Sequence, residues 1–107
     1  MIIRGEERPT VEVEPGVERS ILQHGERLML VRITLAEGTA VAPHAHPHEQ
    51  ITHVIEGRVR FTLDGETYVL EPGDSCLISP NRPHGAVALA DCVLIDAFSP
   101  IREDFLP

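Results

Sequence analysis

Side chains that can bind a metal are concentrated in residues 43–50, near the middle of the 107-residue chain. This stretch holds three of the six histidines, and it ends in Glu49 and Gln50. The residues that follow have the composition of a β-strand, and successive side chains of an extended chain alternate between two faces. We therefore expect His44, His46 and Gln50 to share one face, with Glu49 turned away from them.

A fourth candidate ligand, His84, follows the proline-rich turn at residues 80–83. If the fold brings His84 over the same face, three imidazoles and one carboxamide oxygen converge on one point. Zn, Ni, Mn, Fe and Cu are all candidates for such a site, so the sequence predicts one divalent ion without identifying it. The alternative is a cluster of polar side chains that holds no metal.

Charge and composition argue against several classes of partner. The formal net charge of −8 disfavours nucleic acid, because phosphate binding requires a basic face, and it disfavours anionic membranes for the same reason. No apolar run has the length of a membrane span, and the N-terminal residues lack the apolar core of a signal peptide. We expect a cytoplasmic protein in which Cys76 and Cys92 are reduced and buried.

Short β-strands are the elements that must position these side chains. Residues 28–35 have the composition of a long strand with apolar side chains at every odd-numbered position, and residues 59–63 alternate apolar and polar side chains. Asp64-Gly65 is the residue pair of a type I′ hairpin turn. Turns recur roughly every eight to twelve residues, and no segment has a helical period. These patterns predict an all-β antiparallel sandwich or small barrel, with residues 1–107 forming one domain and a pocket at the barrel mouth.

Two segments of the chain resemble the conserved motifs of the cupins. Residues 38–57 resemble the first motif and residues 73–84 the second, with the spacings Gly38-x5-His44-x-His46-x3-Gln50-x6-Gly57 and Gly73-Asp74-x5-Pro80-x3-His84. The resemblance implies a single-domain cupin jelly-roll β-barrel, a double-stranded β-helix. It also implies that the metal ligands are His44, His46, Gln50 and His84, although most cupins have Glu where this chain has Gln50.

The C-terminal segment is similar to that of cupins acting on unsaturated uronates released from pectin and alginate. Those enzymes convert a 4,5-unsaturated monouronate from its cyclic to its linear keto form. The resemblance rests on the pattern Asp96-x-Phe98-Ser99-Pro100-x-Arg102. It implies that Asp96 and Arg102 are catalytic, with Asp96 acting as acid or base. It also implies that Phe98 and Arg102 bind a carboxylated sugar.

The chemistry of the ligand set favours an isomerase-like enzyme. Three neutral imidazoles and a neutral amide would leave the full charge on a divalent ion, which suits Lewis-acid chemistry better than redox cycling. A metal-dependent dioxygenase is one alternative, and Gln50 argues against it. A non-catalytic module that binds a small sugar or acid is another.

Structural roles also compete with the functional ones at single residues. Asp96 could accept only backbone hydrogen bonds, Phe98 could be part of the core, and Arg102 could pair with Glu103 or Asp104 on the surface. A homodimer is expected, because small jelly rolls leave edge strands that need covering.

Overall fold

The computed structural model describes residues 1–107, and ten β-strands account for most of the chain. Two short 3-10 turns, Gly5–Glu7 and Glu103–Phe105, lie near the termini. The strands are β1 (Val11–Glu14), β2 (Val17–His24), β3 (Met29–Leu35), β4 (Ala40–His44), β5 (Glu49–Glu56), β6 (Val59–Leu63), β7 (Glu66–Leu70), β8 (Ser75–Ile78), β9 (His84–Ala88) and β10 (Cys92–Ser99).

The strands form two antiparallel sheets that face each other. One sheet has six strands in the order β1-β2-β3-β10-β5-β8, and the other has four in the order β4-β9-β6-β7. Many neighbouring strands are distant in sequence, as in a jelly roll. The prediction of an all-β antiparallel fold is confirmed.

Alternating burial along the strands explains how this sequence forms these sheets. In β3 the side chains of Met29, Val31 and Leu35 are buried, while the residues between them are exposed or partly buried. The Asp64-Gly65 turn joins β6 to β7, and both residues have positive φ, as a type I′ turn requires. The predicted hairpin is therefore confirmed.

Gly57 is the one glycine of the first motif for which the structure gives a steric reason. Its φ is +88°, and a Cβ atom there would collide with the carbonyl oxygen of Asp91 and with Cys92. The turn after β5 therefore requires glycine, because β10 begins directly beside it.

Strand β4 is the main element that the sequence pattern did not predict. Residues 43–50 were expected to be a loop leading into a strand, but His44 is the last residue of β4. Pro43 obscures the strand in the sequence, and the structure tolerates it because β4 is an edge strand of its sheet. His44 and Gln50 therefore lie on different sheets, so the expectation that they share one face of a single extended segment is wrong.

The interior divides into two apolar clusters between the sheets. The larger contains Val17, Leu35, Val54, Val59, Ala88, Cys92 and Leu94, and the smaller contains Met29, Val31 and Phe98. The two cysteines are not bonded to each other. Cys92 is buried as expected, but Cys76 is only partly buried. No helix is long and apolar enough to cross a membrane.

Candidate metal centre and adjoining cavity

Three histidines meet at one end of the space between the sheets. One ring nitrogen from each of His44, His46 and His84 lies within 4.8 Å of the other two. His44 is directly opposite His84 in the pairing of β4 with β9, and His46 lies in the loop that leads to β5. Strand pairing, rather than alternation along one segment, brings the three imidazoles together.

The hydrogen bonds of the three rings fix their tautomers. Each Nδ1 contacts a backbone carbonyl oxygen: that of Ala42 for His44 at 3.1 Å, that of His48 for His46 at 3.1 Å, and that of Arg82 for His84 at 2.9 Å. A carbonyl oxygen only accepts, so each Nδ1 carries the proton and each Nε2 is left with a free lone pair. Histidine ligands of metal ions are commonly held in this way.

Gln50 presents its carboxamide oxygen to the same point. Its Nε2 donates to the hydroxyl of Thr52 at 2.9 Å, and Thr52 donates to Asp96 at 2.7 Å, so with Asp96 ionised the amide is oriented. Gln50 Oε1 then lies 2.9 Å from His46 Nε2. Two acceptor atoms at this separation suit neighbouring ligands of one cation, because adjacent ligands at about 2.1 Å in an octahedral site are about 3.0 Å apart.

Burial prepares two of the histidines for a cation. It lowers the pKa of His46 and the pKa of His84, so both rings are neutral at pH 7. The Nε2 atom of His84 is buried and has no hydrogen-bond partner. A buried lone pair without a partner is unfavourable, and a cation would satisfy it. The donor set therefore fits a divalent metal ion.

Asp96 lies next to this cluster, facing inward from β10. It is buried, and its carboxylate accepts a hydrogen bond from the hydroxyl group of Thr52. Burial raises the pKa of Asp96 to about 6, although the hydrogen bonds of Thr52 and Gln50 and the charge of Arg102 oppose that rise. An Asp with this pKa can both take and return a proton near neutral pH.

Phe98 and Arg102 form a wall beside Asp96. Phe98 is buried in the smaller apolar cluster and also lines the cavity, so it is part of the core and in reach of a ligand. Arg102 pairs with Asp104 through Nε at 3.1 Å and Nη2 at 2.9 Å. The Arg102 side chain is only 13% exposed, so the pair joins a largely buried arginine to an exposed aspartate.

A cavity of about 240 Å³ adjoins these side chains. His44, Gln50 and His84 line it, as do Asp96, Phe98 and Arg102. Pockets for drug-sized ligands span roughly 300–1,000 Å³, so this one suits a molecule of about one sugar ring.

Several residues of the site were not predicted from sequence. Thr52 orients Gln50 and Asp96, and it could have been found because it shares inward parity with Gln50 and Val54 on β5. Arg19 and Phe105 also line the cavity. Phe105 lies in the C-terminal 3-10 turn, a segment without strand periodicity that gives no signal of its position.

The two remaining histidines near the first motif lie outside the triad. The ring of His48 packs edge-on against His46 with a centroid separation of 5.3 Å, so it supports a ligand candidate. His53 faces away from the cavity and contacts the hydroxyl of Ser75 at 2.7 Å.

Comparison with known families agrees with the fold. The model of the cupin domain family matches residues 31–98, which include both motifs, residues 38–57 and 73–84. Among curated proteins, the chain is 39% identical over 103 residues to the pectin degradation protein KdgF of Dickeya dadantii, covering 94% of each chain.

Solved structures give the same result. The structure of KdgF from a Halomonas species matches with a TM-score of 0.95 at 39% identity, covering 99% of this chain and 98% of the other. An RmlC-like cupin from Shewanella frigidimarina matches with a TM-score of 0.94 at 38% identity, covering 97% of this chain and 94% of the other.

Proposed function

This chain belongs to the cupin family, and on that basis we propose that it is a metal-dependent enzyme acting on unsaturated monouronates. The reaction converts the cyclic sugar acid to its linear keto form. One observation carries the proposal. A buried aspartate with a pKa of about 6 lines the same cavity as three of the candidate ligands, an aromatic ring and an arginine. Similarity to proteins named for pectin degradation supports the choice of substrate.

The proposed metal site comprises His44, His46, Gln50 and His84. A divalent ion there would act as a Lewis acid that stabilises negative charge on a substrate oxygen. The protein's part is to hold three Nε2 lone pairs and one amide oxygen in place through the backbone carbonyls and Thr52. Because all four ligands are neutral, none of them reduces the charge of the ion.

Asp96 is the proposed proton carrier. As the bond between the anomeric carbon and the ring oxygen breaks, the ionised carboxylate takes the proton of the anomeric hydroxyl, an aldehyde forms at the anomeric carbon, and an enolate remains at the former ring oxygen. Protonation of the neighbouring carbon then gives the ketone, so the product is an isomer of the substrate and no oxidant is needed. A pKa of about 6 lets one carboxyl group act in both steps at neutral pH.

Arg102 and Phe98 are the proposed substrate-binding residues. Asp104 occupies Nε and Nη2 of Arg102, so Nη1 remains for the substrate carboxylate. Phe98 offers an apolar surface to the sugar ring. The size of the cavity favours a monosaccharide over a polymer, because it holds about one ring.

The direct test follows the ultraviolet absorbance of 4,5-unsaturated galacturonate with wild-type protein, chelated protein and Arg102→Ala. We expect faster loss that requires both metal and Arg102. Arg60→Ala, which removes an exposed arginine of β6, is the control and should behave as wild type. No acceleration by protein carrying stoichiometric metal would refute the proposal, and oxygen uptake by that protein would favour the dioxygenase alternative.

We also propose a cytoplasmic, single-domain protein that forms a homodimer. Leu30, Ile51 and Leu77 support the dimer, because they are exposed on the outer face of the six-stranded sheet. Ile51 pairs in register with Leu77 on one side and Ala97 on the other, so the apolar side chains form a row. Light scattering should give twice the monomer mass for wild type and the monomer mass for Ile51→Glu.

A further inference from the structure

Arg19 occupies an inward-facing position of β2 where an apolar residue is expected. Val17 and Ile21, the inward residues on either side of it, pack in the two apolar clusters. Arg19 itself is partly buried, pairs in register with Ile33 and lines the cavity with Asp96 and the candidate ligands. A charge on the inward face of a strand is unfavourable unless a partner compensates it.

No acidic side chain lies within salt-bridge distance of Arg19, and Asp104, which pairs with Arg102, acts on its charge only from farther away. The two ion pairs of the molecule join Arg82 to Asp64 and Arg102 to Asp104. The guanidinium of Arg19 lies 4.0 Å from the centre of the Phe105 ring, and that of Arg102 lies 4.3 Å from the same ring. Two arginines therefore share one aromatic ring at the cavity wall, and only one of them has a carboxylate partner.

We propose that Arg19 determines specificity for a carboxylated substrate, binding the carboxylate together with the unoccupied Nη1 of Arg102. This inference rests on the proposed function, which assigns a sugar acid to the cavity. Asp104 accepts hydrogen bonds from Nε and Nη2 of Arg102, whereas the planar, forked guanidinium group of Arg19 forms no salt bridge. A planar fork of this kind matches the two oxygens of a carboxylate. Both guanidinium groups pack against the ring of Phe105 at the cavity wall.

Steady-state kinetics of Arg19→Gln on the unsaturated monouronate give the first test. We expect KM to rise about 10- to 100-fold, as for loss of a hydrogen-bonded charge, while kcat changes far less. Arg32→Gln is the matched control, because Arg32 lies on the neighbouring strand with its side chain exposed on the outer face. An unchanged KM in Arg19→Gln would overturn the inference.

Two further variants separate charge from packing. Arg19→Lys keeps the charge without the fork, and Arg19→Met keeps an apolar stem against Phe105 without the charge. We expect KM of the Lys variant to lie between those of wild type and Arg19→Gln, and KM of the Met variant to match Arg19→Gln. A wild-type KM in Arg19→Met would show that Arg19 only packs against Phe105, and would overturn the inference.

Calorimetric titration of the metal-loaded protein with D-galacturonate and with galactose tests binding apart from turnover. Wild type should bind the acid more tightly than the neutral sugar, and Arg19→Gln should lose that preference by about tenfold or more. If wild type shows this preference but no turnover, the proposed reaction fails while the inference stands. Equal binding of the two sugars by wild type, or no binding of either, would overturn it.

Discussion

The two ends of the space between the sheets are built from the same strands but have opposite chemistry. Strand β10 contributes Cys92 and Leu94 to the larger apolar cluster at one end and Asp96 to the site at the other. Strand β5 does the same with Val54 and Gln50. The inward positions alternate correctly in both halves, so what changes along each strand is only the type of side chain.

The apolar end mainly stabilises the fold, whereas the polar end contains the groups proposed to act on a ligand. The apolar end contributes to folding through burial, roughly 25 cal/mol for each Å² of apolar surface. The polar end instead contains buried groups that are unfavourable without a ligand, such as the carboxyl of Asp96 and the unpartnered Nε2 of His84. Substitutions at the two ends should therefore have separable effects on activity and on unfolding.

Replacing His84 by Ala should have the largest effect on activity. We expect loss of stoichiometric metal and loss of at least about 10³-fold in kcat/KM, because a Lewis acid contributes several kcal/mol to transition-state stabilisation. The measurements are elemental analysis and the absorbance assay. Metal retained at full stoichiometry and full activity would show that His84 is not a ligand.

Asp96→Asn should reduce kcat by about 10² to 10⁴-fold while metal content stays unchanged, because general acid–base catalysis contributes that much. The wild-type rate should also fall as the pH drops through about 6, where Asp96 becomes protonated. A bound cation favours the ionised form, so the midpoint in the loaded enzyme should lie at or below that value. An Asn variant with wild-type kcat would refute the role of Asp96 as proton carrier.

The raised pKa of Asp96 should also make the free energy of unfolding depend on pH. The pKa of Asp96 is raised in the folded state, so the folded protein binds the proton more tightly than the unfolded chain does. The contribution of Asp96 to the free energy of unfolding should therefore fall as the pH rises between about 4 and 6, by up to about 3 kcal/mol. The lowered pKa values of His46 and His84 make stability rise with pH over part of the same range, so the comparison with Asp96→Asn isolates the effect of Asp96. Urea unfolding of metal-free protein should show that the free energy of unfolding of wild type, minus that of Asp96→Asn, falls as the pH rises.

Leu35→Ala at the apolar end should lower the free energy of unfolding by about 2–5 kcal/mol, because it leaves a cavity in the larger cluster. The folded variant should still bind one metal ion, and metal content is the readout because Leu35 also lines the cavity. If Leu35→Ala removed the metal at temperatures where the protein is folded, the two ends would be coupled and the separation drawn here would be wrong.

Gln50→Glu should have the smallest effect. The added negative charge should raise metal affinity by about 10- to 100-fold, a range typical of changes around a ligand. It should also reduce kcat modestly, because the charge on the ion would be partly neutralised. Competition with a chelator measures the affinity, and Glu49→Gln on the exposed side of β5 is the control. Weaker metal binding in Gln50→Glu would contradict a ligand role for residue 50.

The sequence predicted the fold better than it predicted how the site is assembled. Alternation and the Asp64-Gly65 turn identified most strands, because each depends on residues close together in the chain. The four candidate ligands were chosen correctly as neighbours, but for His44 the reason was wrong: it reaches the site by pairing with His84 across β4 and β9. Which distant strands pair cannot be read from a local pattern.

Arg19 and Phe105 show a second limit of sequence reasoning. Arg19 breaks the apolar pattern of β2 by one residue, which in sequence is indistinguishable from a strand that faces solvent at that point. Its meaning depends on the C-terminal turn folding back beside β2, and the length and composition of that turn do not predict where it goes.

The distribution of the four candidate ligands between the sheets has a mechanical consequence. His44 and His84 belong to the four-stranded sheet and Gln50 belongs to the six-stranded one. An ion held by all of them would link the two sheets at the end that contains the site. Metal supply would then affect the stability of the folded protein as well as its activity, since a ligand that binds only the native state shifts the unfolding equilibrium. Amide hydrogen exchange in the edge strand β4 should be the most sensitive indicator of whether an ion links the two sheets.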